Sequence, residues 1–310
     1  MTGPLRIALV GLGKIARDEH VPAIARTRGA QLVAVASRNA ALDGVACHAD
    51  MATMLAAHGD GVDTVILCQP PQVRFAAARD ALLAGKHVFL EKPPGATLSE
   101  VAALVDLARA GNLTLFASWH SRWSPPVVAL KSWCAARPIT RVTINWKEDV
   151  RRWHPGQDWI WQAGGFGVFD PGINALSILT EILPDPVRLC DARLEIPANR
   201  AAPIGVDMMM QTTRGAPVTA CFDWRQTGAQ TWEIIVESHD ERYHFTQGGD
   251  DAATATHGAD SALAPEYRAM YSHFVNLVRD GRSDVDIGPL QLVADACMRG
   301  IVARVAPFED

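Results

Sequence analysis

The sequence lacks the residue patterns that mark disulfide-stapled and metal-binding proteins. Its six cysteines are scattered and form neither a Cys-x-x-Cys motif nor a spacing with histidine that suits zinc. It contains no His-x-x-x-His pair and no group of carboxylates with the spacing of metal ligands. We therefore expect reduced thiols and no bound metal.

An excess of positive charge and long apolar segments are also missing. The net charge is −5, which gives no electrostatic case for binding nucleic acid. No run reaches the about 18 apolar residues of a membrane span. The apolar part of "MTGPLRIALVGLGK" is too short for a signal peptide, and there are no repeats or low-complexity segments. These absences predict a soluble, cytoplasmic protein that binds neither nucleic acid nor a membrane.

The chain has 310 residues, of which 48% are hydrophobic, so it can form roughly two domains of about 100 to 200 residues each. Its first 120 residues alternate apolar strands, such as "RIALV" and "TVILC", with helical patterns such as "VRFAAARDALLAG". Continuous apolar strands separated by helices predict a doubly wound parallel sheet in an α/β domain. Such a sheet binds ligands at the carboxyl ends of its strands.

The first strand leads into the motif Gly11-x-Gly13-x-x-Ala16, which precedes a helix. Glycines at such a turn let the backbone approach a pyrophosphate, whose charge is favoured by the helix N-terminus. A tight turn without a ligand is the alternative. Because further strand-helix units follow the motif, we expect it to bind a dinucleotide, with Lys14 and Ile15 in the same cofactor-binding loop.

The end of the second strand carries Ser37 and Arg38. An NAD-selective site would place Asp or Glu there, about 20 residues past the glycines, on the ribose 2′-hydroxyl. A hydroxyl and a guanidinium instead suit a 2′-phosphate, so we expect NADP to be preferred over NAD. The alternative is a solvated surface arginine. Gln69 and Pro70, which end a later strand, are also predicted to contact the cofactor.

Glu91 and Lys92 follow the strand "HVFL" and share the predicted carboxyl edge of the sheet with the glycines. We expect both residues to contact the cofactor, and a lysine at this position can also reach a substrate oxygen. To act as a base near neutral pH it must lose its proton, which desolvation and a cationic nicotinamide favour. A surface lysine paired with Glu91 is the alternative that these residues leave open.

Beyond "TLFASWHSRWSPP" the pattern changes to longer strands of alternating character, such as "PVTACFDWRQ" and "TWEIIVES". These strands predict a mixed or antiparallel sheet in a second domain. The final segment "GPLQLVADACMRGIVARVA" has apolar residues at helical spacing. We expect it to form a helix over about 288–305 that packs back on the first domain.

All nine tryptophans lie between positions 119 and 232. Most are expected in the core or in a subunit interface. Trp153 and Trp232, which have polar neighbours, also suit a sugar, whose C–H faces stack on aromatic rings. His120 and His154 each follow a tryptophan and are candidates for the same binding site, with a structural histidine as the alternative for each.

The string "GGFGVFDPGINALSI" supports two interpretations of Asp170. In the first, Asp170 is the N-cap of a helix and Pro171 its first residue. In the second, Asp170 belongs to an active site, and Asn174 lies one turn later on the same side of the helix. The two interpretations are compatible. We expect Asp170 to be an active-site residue because the other candidate residues gather on one sheet edge.

The strings "VGLGKIA", "EKPPGATLSE" and "GGFGVFDPGIN" resemble the Gfo/Idh/MocA family of nicotinamide-dependent oxidoreductases, along the whole chain. More narrowly, "HSRW" and "WKEDVRRWHPGQDWIW" look like the bacterial aldose 1-dehydrogenases that act on L-arabinose or D-galactose. The resemblance implies a Rossmann domain, here residues 1–121. It also implies an α/β domain, here 122–310, whose large, open, mostly antiparallel sheet commonly mediates dimerisation.

The resemblance also implies oxidation of a cyclic aldose at C1 to the aldonolactone, with NADP or NAD. It carries the family's catalytic lysine onto Lys92 and its active-site aspartate onto Asp170. Many members have histidine where this chain has Asn174, and asparagine cannot take up a proton. We therefore expect Lys92 to accept the C1 hydroxyl proton, Asp170 to hold that hydroxyl or tune Lys92, and Asn174 to orient the sugar.

Two other functions fit the same fold. One is a non-catalytic regulator that senses NADP or a sugar, and the other is a cyclitol dehydrogenase or aldose-ketose oxidoreductase. The presence of Lys92 and Asp170 favours an enzyme over a regulator.

Overall fold

The structure, a computed structural model, describes residues 3–246 and 263–309. It divides into two compact units, of which the first comprises Met1–Trp123 with Leu263–Ile287 and the second comprises Ser124–Ala262 with Gly288–Asp310. The predicted boundary between residues 121 and 122 lies close to the first of these divisions. Sequence analysis does not predict that 263–287 groups with the first unit.

The first unit contains a six-stranded sheet in the order β3-β2-β1-β4-β5-β6, in which all neighbouring strands are parallel. The strands are β1 (Leu5–Val10), β2 (Ala30–Ala36), β3 (Ala46–His48), β4 (Thr64–Leu67), β5 (His87–Leu90) and β6 (Leu115–Ala117). Their apolar residues are buried because helices cover the sheet. The doubly wound parallel sheet predicted from the sequence is confirmed.

Helices are numbered along the whole chain. Those of the first unit are α1 (Val21–Arg26), α2 (Met51–His58), α3 (Pro71–Leu83), α4 (Leu98–Ala110) and α8 (Ala264–Asp280), and a π-helical turn, Ala16–His20, precedes α1. Helix α8 buries Tyr267, Met270, Tyr271 and Phe274 in one cluster with apolar residues of β1 and β5. This burial explains why a segment so late in the sequence belongs to the first unit.

The second unit contains a seven-stranded sheet in the order β12-β11-β7-β10-β9-β8-β13. The strands are β7 (Arg141–Lys147), β8 (Val187–Pro197), β9 (Gly205–Thr212), β10 (Pro217–Asp223), β11 (Thr231–Glu237), β12 (Arg242–Thr246) and β13 (Ile301–Val305). Only the β7–β10 and β8–β13 pairs are parallel among the described residues, which confirms the mostly antiparallel sheet. In β7 buried residues alternate with more exposed ones, as expected for a sheet covered on one face.

The helices of the second unit are α5 (Pro125–Ala135), α6 (Val150–Trp153), α7 (Phe169–Ile182) and α9 (Gly288–Arg299). Helix α9 contacts α7 and β8 and groups with the second unit. The helix also ends at Arg299, before the predicted residue 305. Residues Ile301–Val305 form β13 instead, because this apolar segment adds a strand beside β8.

None of the described helices is both long and apolar enough to cross a membrane. Within the described ranges, no three His, Cys, Asp or Glu side chains are grouped as metal ligands would be.

Candidate functional site

The glycine motif forms the connection from β1 to the first helical turn. Gly11 has φ of +91°, and a Cβ atom there would lie 3.2 Å from the backbone N of Gln69. Glycine is therefore favoured at this position by the left-handed backbone and by the close approach of the β4 end to the β1 end. A Cβ on Gly13 would meet no atom within 4 Å, so this side of the loop is open. An open glycine turn at the carboxyl end of the central strand fits the phosphates of a dinucleotide.

The other two predicted residues of this loop have side chains directed elsewhere. Lys14 is exposed and forms an ion pair with Asp18 one turn further along. Ile15 packs against the apolar cluster beneath α8. Ile15 would therefore contact a cofactor through its backbone. Lys14 would do so through its backbone, or through its side chain after leaving Asp18.

Ser37 and Arg38 line a cavity of about 420 Å³ at the end of β2. The cavity is completed by residues that follow β2 and by the end of β3, and Ser37 is fixed by its backbone N–H, which donates to the His48 carbonyl at 2.8 Å. Arg38 is exposed. A guanidinium beside a cavity at the switch-point edge of the sheet fits the ribose end of a dinucleotide with a 2′-phosphate.

The turn that carries Lys92 is fixed by the buried carboxylate of Glu91. One oxygen, Oε1, accepts hydrogen bonds from the Tyr267 hydroxyl at 2.9 Å and from His20 Nε2 at 3.1 Å. The other oxygen, Oε2, accepts the backbone N–H of Lys92 at 2.5 Å. Glu91 is 3% exposed, so it is an internal support of the turn and not a surface partner.

The charges of Glu91 and His20 stabilise each other. Burial alone would raise the pKa of Glu91, but His20, His120 and Lys92 outweigh this effect and lower that pKa to about 2. Burial likewise disfavours a charged His20, but Cys68 and Glu91 outweigh it and raise the pKa of His20 to about 10. The turn before Lys92 therefore rests on a buried ion pair at neutral pH.

The buried side chain of Arg74, on α3, is a second support of the turn that carries Lys92. Its guanidinium donates to the carbonyls of Glu91 and Pro93, on either side of Lys92, and to the carbonyl of Gln69. The ends of β4 and β5 are thus held by one side chain. Gln69 and Pro70 lie at this edge, where α3 begins. Sequence analysis identified the edge but missed His20 and Arg74, because neither is close in sequence to Lys92.

His120 follows β6 at the same end of the first unit and is buried. Its Nδ1 lies 2.9 Å from Glu266 Oε2, and its ring stacks on Tyr267 with 5.3 Å between ring centres. His120 therefore has the partners of a structural histidine, one of the two interpretations left open by the sequence. These contacts also fix the orientation of the His120 ring.

In the second unit, Asp170 is the second residue of α7 and not its N-cap. The helix begins at Phe169 and has no side-chain cap. The capping interpretation is therefore wrong, because the turn at 164–167 starts the helix two residues earlier than the Asp-Pro pair suggests. Asp170 is buried, and its Oδ2 lies 3.7 Å from His154 Nε2. Asn174 lies one turn later on the same helix.

A carboxylate that sequence analysis missed, Glu148, also lies close to His154. Its Oε1 is 3.7 Å from His154 Nε2. Glu148 also accepts the indole N–H groups of Trp224 at 3.2 Å and Trp232 at 3.0 Å. Trp153 packs on Trp232 with 5.2 Å between ring centres. The second unit thus gathers acidic, imidazole and indole groups around His154, a set that suits the hydroxyls and C–H faces of a sugar.

The glycines before Asp170 are required by close backbone packing within the second unit. Gly167 has φ of +53°, and a Cβ there would lie 2.2 Å from the Pro203 carbonyl oxygen. We expect Gly167→Ala to lower the free energy of unfolding by at least about 2 kcal/mol, from left-handed strain plus overlap. Chemical denaturation measures this loss.

Gly228→Ala is the matched control. Gly228 also has positive φ, +78°, but a Cβ there would meet nothing within 4 Å. We expect this variant to lose only the strain component, about 1 to 2 kcal/mol. Equal losses in the two variants would contradict the role assigned to the Pro203 contact.

Comparison with known proteins agrees with this geometry. The model of an oxidoreductase family with an NAD-binding Rossmann fold, GFO_IDH_MocA, matches residues 5–118. Over 309 residues the chain is 42% identical to galactose 1-dehydrogenase from Pseudomonas fluorescens, with 99% of each chain covered. Its structure is similar to that of D-galactose-1-dehydrogenase from Rhizobium etli, with a TM-score of 0.91, 50% identity, and 100% and 99% of the two chains covered.

A more distant likeness concerns the fold alone. A 3-ketoreductase from Actinomadura kijaniata, solved with NADP and TDP-benzene, aligns with a TM-score of 0.74 at 19% identity, covering 97% of this chain and 100% of its own. The doubly wound sheet with its glycine turn and the near full-length matches lead to one assignment. This chain is a member of the Gfo/Idh/MocA family of oxidoreductases with an NAD-binding Rossmann fold.

Proposed function

We propose that the protein oxidises C1 of a cyclic aldose to the aldonolactone, with NADP as the preferred hydride acceptor and NAD as the second. The observation that carries this proposal is the full-length likeness to galactose 1-dehydrogenases, at 42% identity in sequence and 50% in a solved structure. Both L-arabinose and D-galactose are candidate substrates, because they differ only by the exocyclic carbon at C5.

The nicotinamide, when bound, supplies the chemistry of accepting a hydride from C1. In the proposed reaction Lys92 takes the proton of the C1 hydroxyl, directly or through a water, while Asp170 holds the same hydroxyl. The proton must leave because a positively charged lactone oxygen would otherwise result. Asn174 can donate and accept hydrogen bonds but cannot carry a proton, so it orients the sugar.

Four further side chains are proposed to contact the sugar: His120, Trp153, His154 and Trp232. The contacts of Glu148 with both His154 and Trp232 support adding this carboxylate to the set. A carboxylate accepts hydrogen bonds from sugar hydroxyls, and a neighbouring indole packs on the C–H face of the ring.

The proposal is tested by absorbance at the band of the reduced cofactor. The purified protein is mixed with NADP or NAD and with L-arabinose, D-galactose, D-xylose or an inositol. We expect reduction with an aldose. Turnover only on inositols would indicate a cyclitol dehydrogenase instead, and tight cofactor binding without turnover on any sugar would indicate a regulator.

The cofactor preference is tested at Arg38. We expect Arg38→Ala to weaken NADP binding about 10- to 100-fold, because a charged hydrogen bond is worth about 1.5 to 3 kcal/mol, and to change NAD binding less than about threefold. Titration of the protein with both cofactors gives the two Kd values. Arg79→Ala is the control, since Arg79 is an exposed arginine of the same unit paired with Asp80. An unchanged ratio of the Kd values in Arg38→Ala would exclude Arg38 from selecting the cofactor.

The role of Asn174 is tested by two replacements. We expect Asn174→Ala to raise the KM for the aldose about tenfold with a smaller change in kcat, as is typical of lost ground-state binding. We expect Asn174→His to add an inflection at about pH 6.5 to the pH profile of kcat, because histidine titrates there. Profiles of the same shape in wild type and Asn174→His, with unchanged KM in both variants, would show that Asn174 does not face the sugar.

We also propose a homo-oligomer, most simply a dimer, and a cytoplasmic location. The open sheet of the second unit supports the proposed homo-oligomer, because it offers a surface for a second copy. Light scattering on the purified protein measures the oligomeric state.

A further inference from the structure

Helix α8 begins with two adjacent polar residues that are buried in the first unit. Glu266 is 4% exposed and Tyr267 is fully buried. Both lie far along the chain from the other groups of the sheet edge, in the first turn of a helix that otherwise contributes apolar side chains to the core. Burying a carboxylate and a hydroxyl is unfavourable unless each has a hydrogen-bond partner.

The partner of Tyr267 is the support of Lys92. Its hydroxyl donates to Glu91 Oε1 at 2.9 Å, while Glu91 Oε2 accepts the Lys92 backbone N–H at 2.5 Å. The two carboxylate oxygens are rigidly joined, so fixing Oε1 also fixes the orientation of Oε2. The tyrosine hydroxyl therefore helps to fix the Lys92 backbone through one intervening side chain, alongside His20 and Arg74.

The partner of Glu266 is His120. Glu266 Oε2 lies 2.9 Å from His120 Nδ1, and a carboxylate only accepts, so Nδ1 carries the hydrogen. In a neutral imidazole this leaves Nε2 as the acceptor. The same ring stacks on Tyr267 with an angle of 21° between the planes. Adjacent residues of α8 thus hold both the Lys92 turn and the His120 ring.

We propose that Glu266 and Tyr267 are positioning residues for the dehydrogenase reaction, Tyr267 by holding Lys92 through Glu91 and Glu266 by fixing the tautomer and direction of His120. This inference rests on the function proposed above. It assigns to the first turn of α8 a role in the chemistry besides its role in the core.

Tyr271 provides a matched comparison. It is also fully buried, lies one turn further along α8, and is 2.6 Å from His20 Nδ1 through its hydroxyl. Its described hydrogen bond reaches His20, whereas that of Tyr267 reaches Glu91 itself. Tyr267→Phe and Tyr271→Phe each remove one hydroxyl from the same helix and keep the ring, so a difference between them isolates the bond to Glu91.

The first experiment measures hydrogen exchange at the Lys92 amide by mass spectrometry. Pro93 and Pro94 have no amide N–H. A short peptide that ends at these prolines therefore contains few exchanging amides besides that of Lys92. We expect Tyr267→Phe to speed this exchange at least about tenfold and Tyr271→Phe less than about threefold, because only the first removes a bond to the acceptor of that amide. Equal rates in the two variants would overturn the proposal for Tyr267.

The second experiment separates kcat from KM on the aldose that the wild type turns over best. We expect Tyr267→Phe to lower kcat about tenfold, and Glu266→Gln to raise the KM for the aldose about fivefold, with the Kd for NADP within about twofold in both. An unchanged cofactor Kd shows that a variant is folded. A lower kcat together with a higher KM and weaker cofactor binding in the same variant would show a structural role only and overturn the proposal. If the wild type turns over no aldose, the proposed function fails, and the exchange rates still test the holding of Lys92.

Discussion

Replacing Lys92 with alanine is expected to lower kcat at least about 10²-fold and to leave the Kd for NADP within about threefold. The first effect follows because a positioned base contributes about 10²- to 10⁴-fold to proton transfer. The second follows because the glycine turn and the cavity at Ser37 and Arg38 are formed by other strands of the sheet. Steady-state rates and cofactor titration on the same preparation measure both quantities.

Lys86→Ala is the control for this experiment. Lys86 immediately precedes the same strand, β5, at its opposite end, and its ammonium donates to the carbonyls of Gly59 and Val62. Loss of that side chain removes an equal charge from the same unit but no group of the proposed site. We expect kcat within about twofold of wild type. Near-wild-type turnover in Lys92→Ala would remove Lys92 from the mechanism.

Replacing Asp170 with asparagine is expected to lower kcat/KM at least about 10²-fold, which corresponds to about 2.7 kcal/mol of transition-state stabilisation. The asparagine keeps the size of the side chain but removes the charge that we propose holds the reacting hydroxyl, and which lies 3.7 Å from His154. Because α7 begins at Phe169 without a side-chain cap, the loss should not come from a lost N-cap hydrogen bond. Steady-state kinetics of the variant measure the loss of kcat/KM, and chemical denaturation measures any loss of unfolding free energy.

Asp185→Asn is the corresponding control in the second unit. Asp185 forms an ion pair with the exposed Arg214, which is a surface contact of small energetic value. We expect its kcat/KM to stay within about twofold of wild type. If Asp170→Asn lost unfolding free energy but kept its kcat/KM, Asp170 would be a structural residue and the assignment of the sugar site would be wrong.

The edge of the first sheet was predictable from the sequence because its signals are local. Continuous apolar strands, a glycine turn after β1 and short polar segments after β2 and β5 each occupy a few neighbouring residues. Parallel strands then bring their carboxyl ends together. In this way Gly11, Arg38 and Lys92 were assigned to one edge without knowledge of any long-range contact.

The supports of that edge were not predictable, because they depend on contacts between distant parts of the chain. Arg74 binds carbonyl oxygens, which every residue carries, so no sequence pattern marks its targets. Tyr267 reaches Glu91 across 176 positions, from a helix whose apolar spacing indicates only that one face is buried. Glu148 was missed for the same reason, since its indole partners lie far along the chain, Trp224 just after β10 and Trp232 in β11.

The start of α7 shows a different limit. The Asp-Pro pair is a common helix start, yet the helix begins one residue before Asp170, because Gly165 and Gly167 pack against backbone atoms and set the course of the chain. A Cβ on Gly165 would lie 2.1 Å from the Trp159 carbonyl oxygen, a contact that only the folded structure reveals.

The central claim is that a hydride leaves C1 of an aldose, and isotope transfer tests it most directly. D-galactose or L-arabinose carrying deuterium at C1 is oxidised with NADP, and the mass of the reduced cofactor is measured by mass spectrometry. We expect one deuterium in each reduced cofactor from the C1-labelled sugar and none from sugar labelled at C2. Unlabelled reduced cofactor from the C1-deuterated sugar would contradict it, as would the absence of cofactor reduction with every aldose.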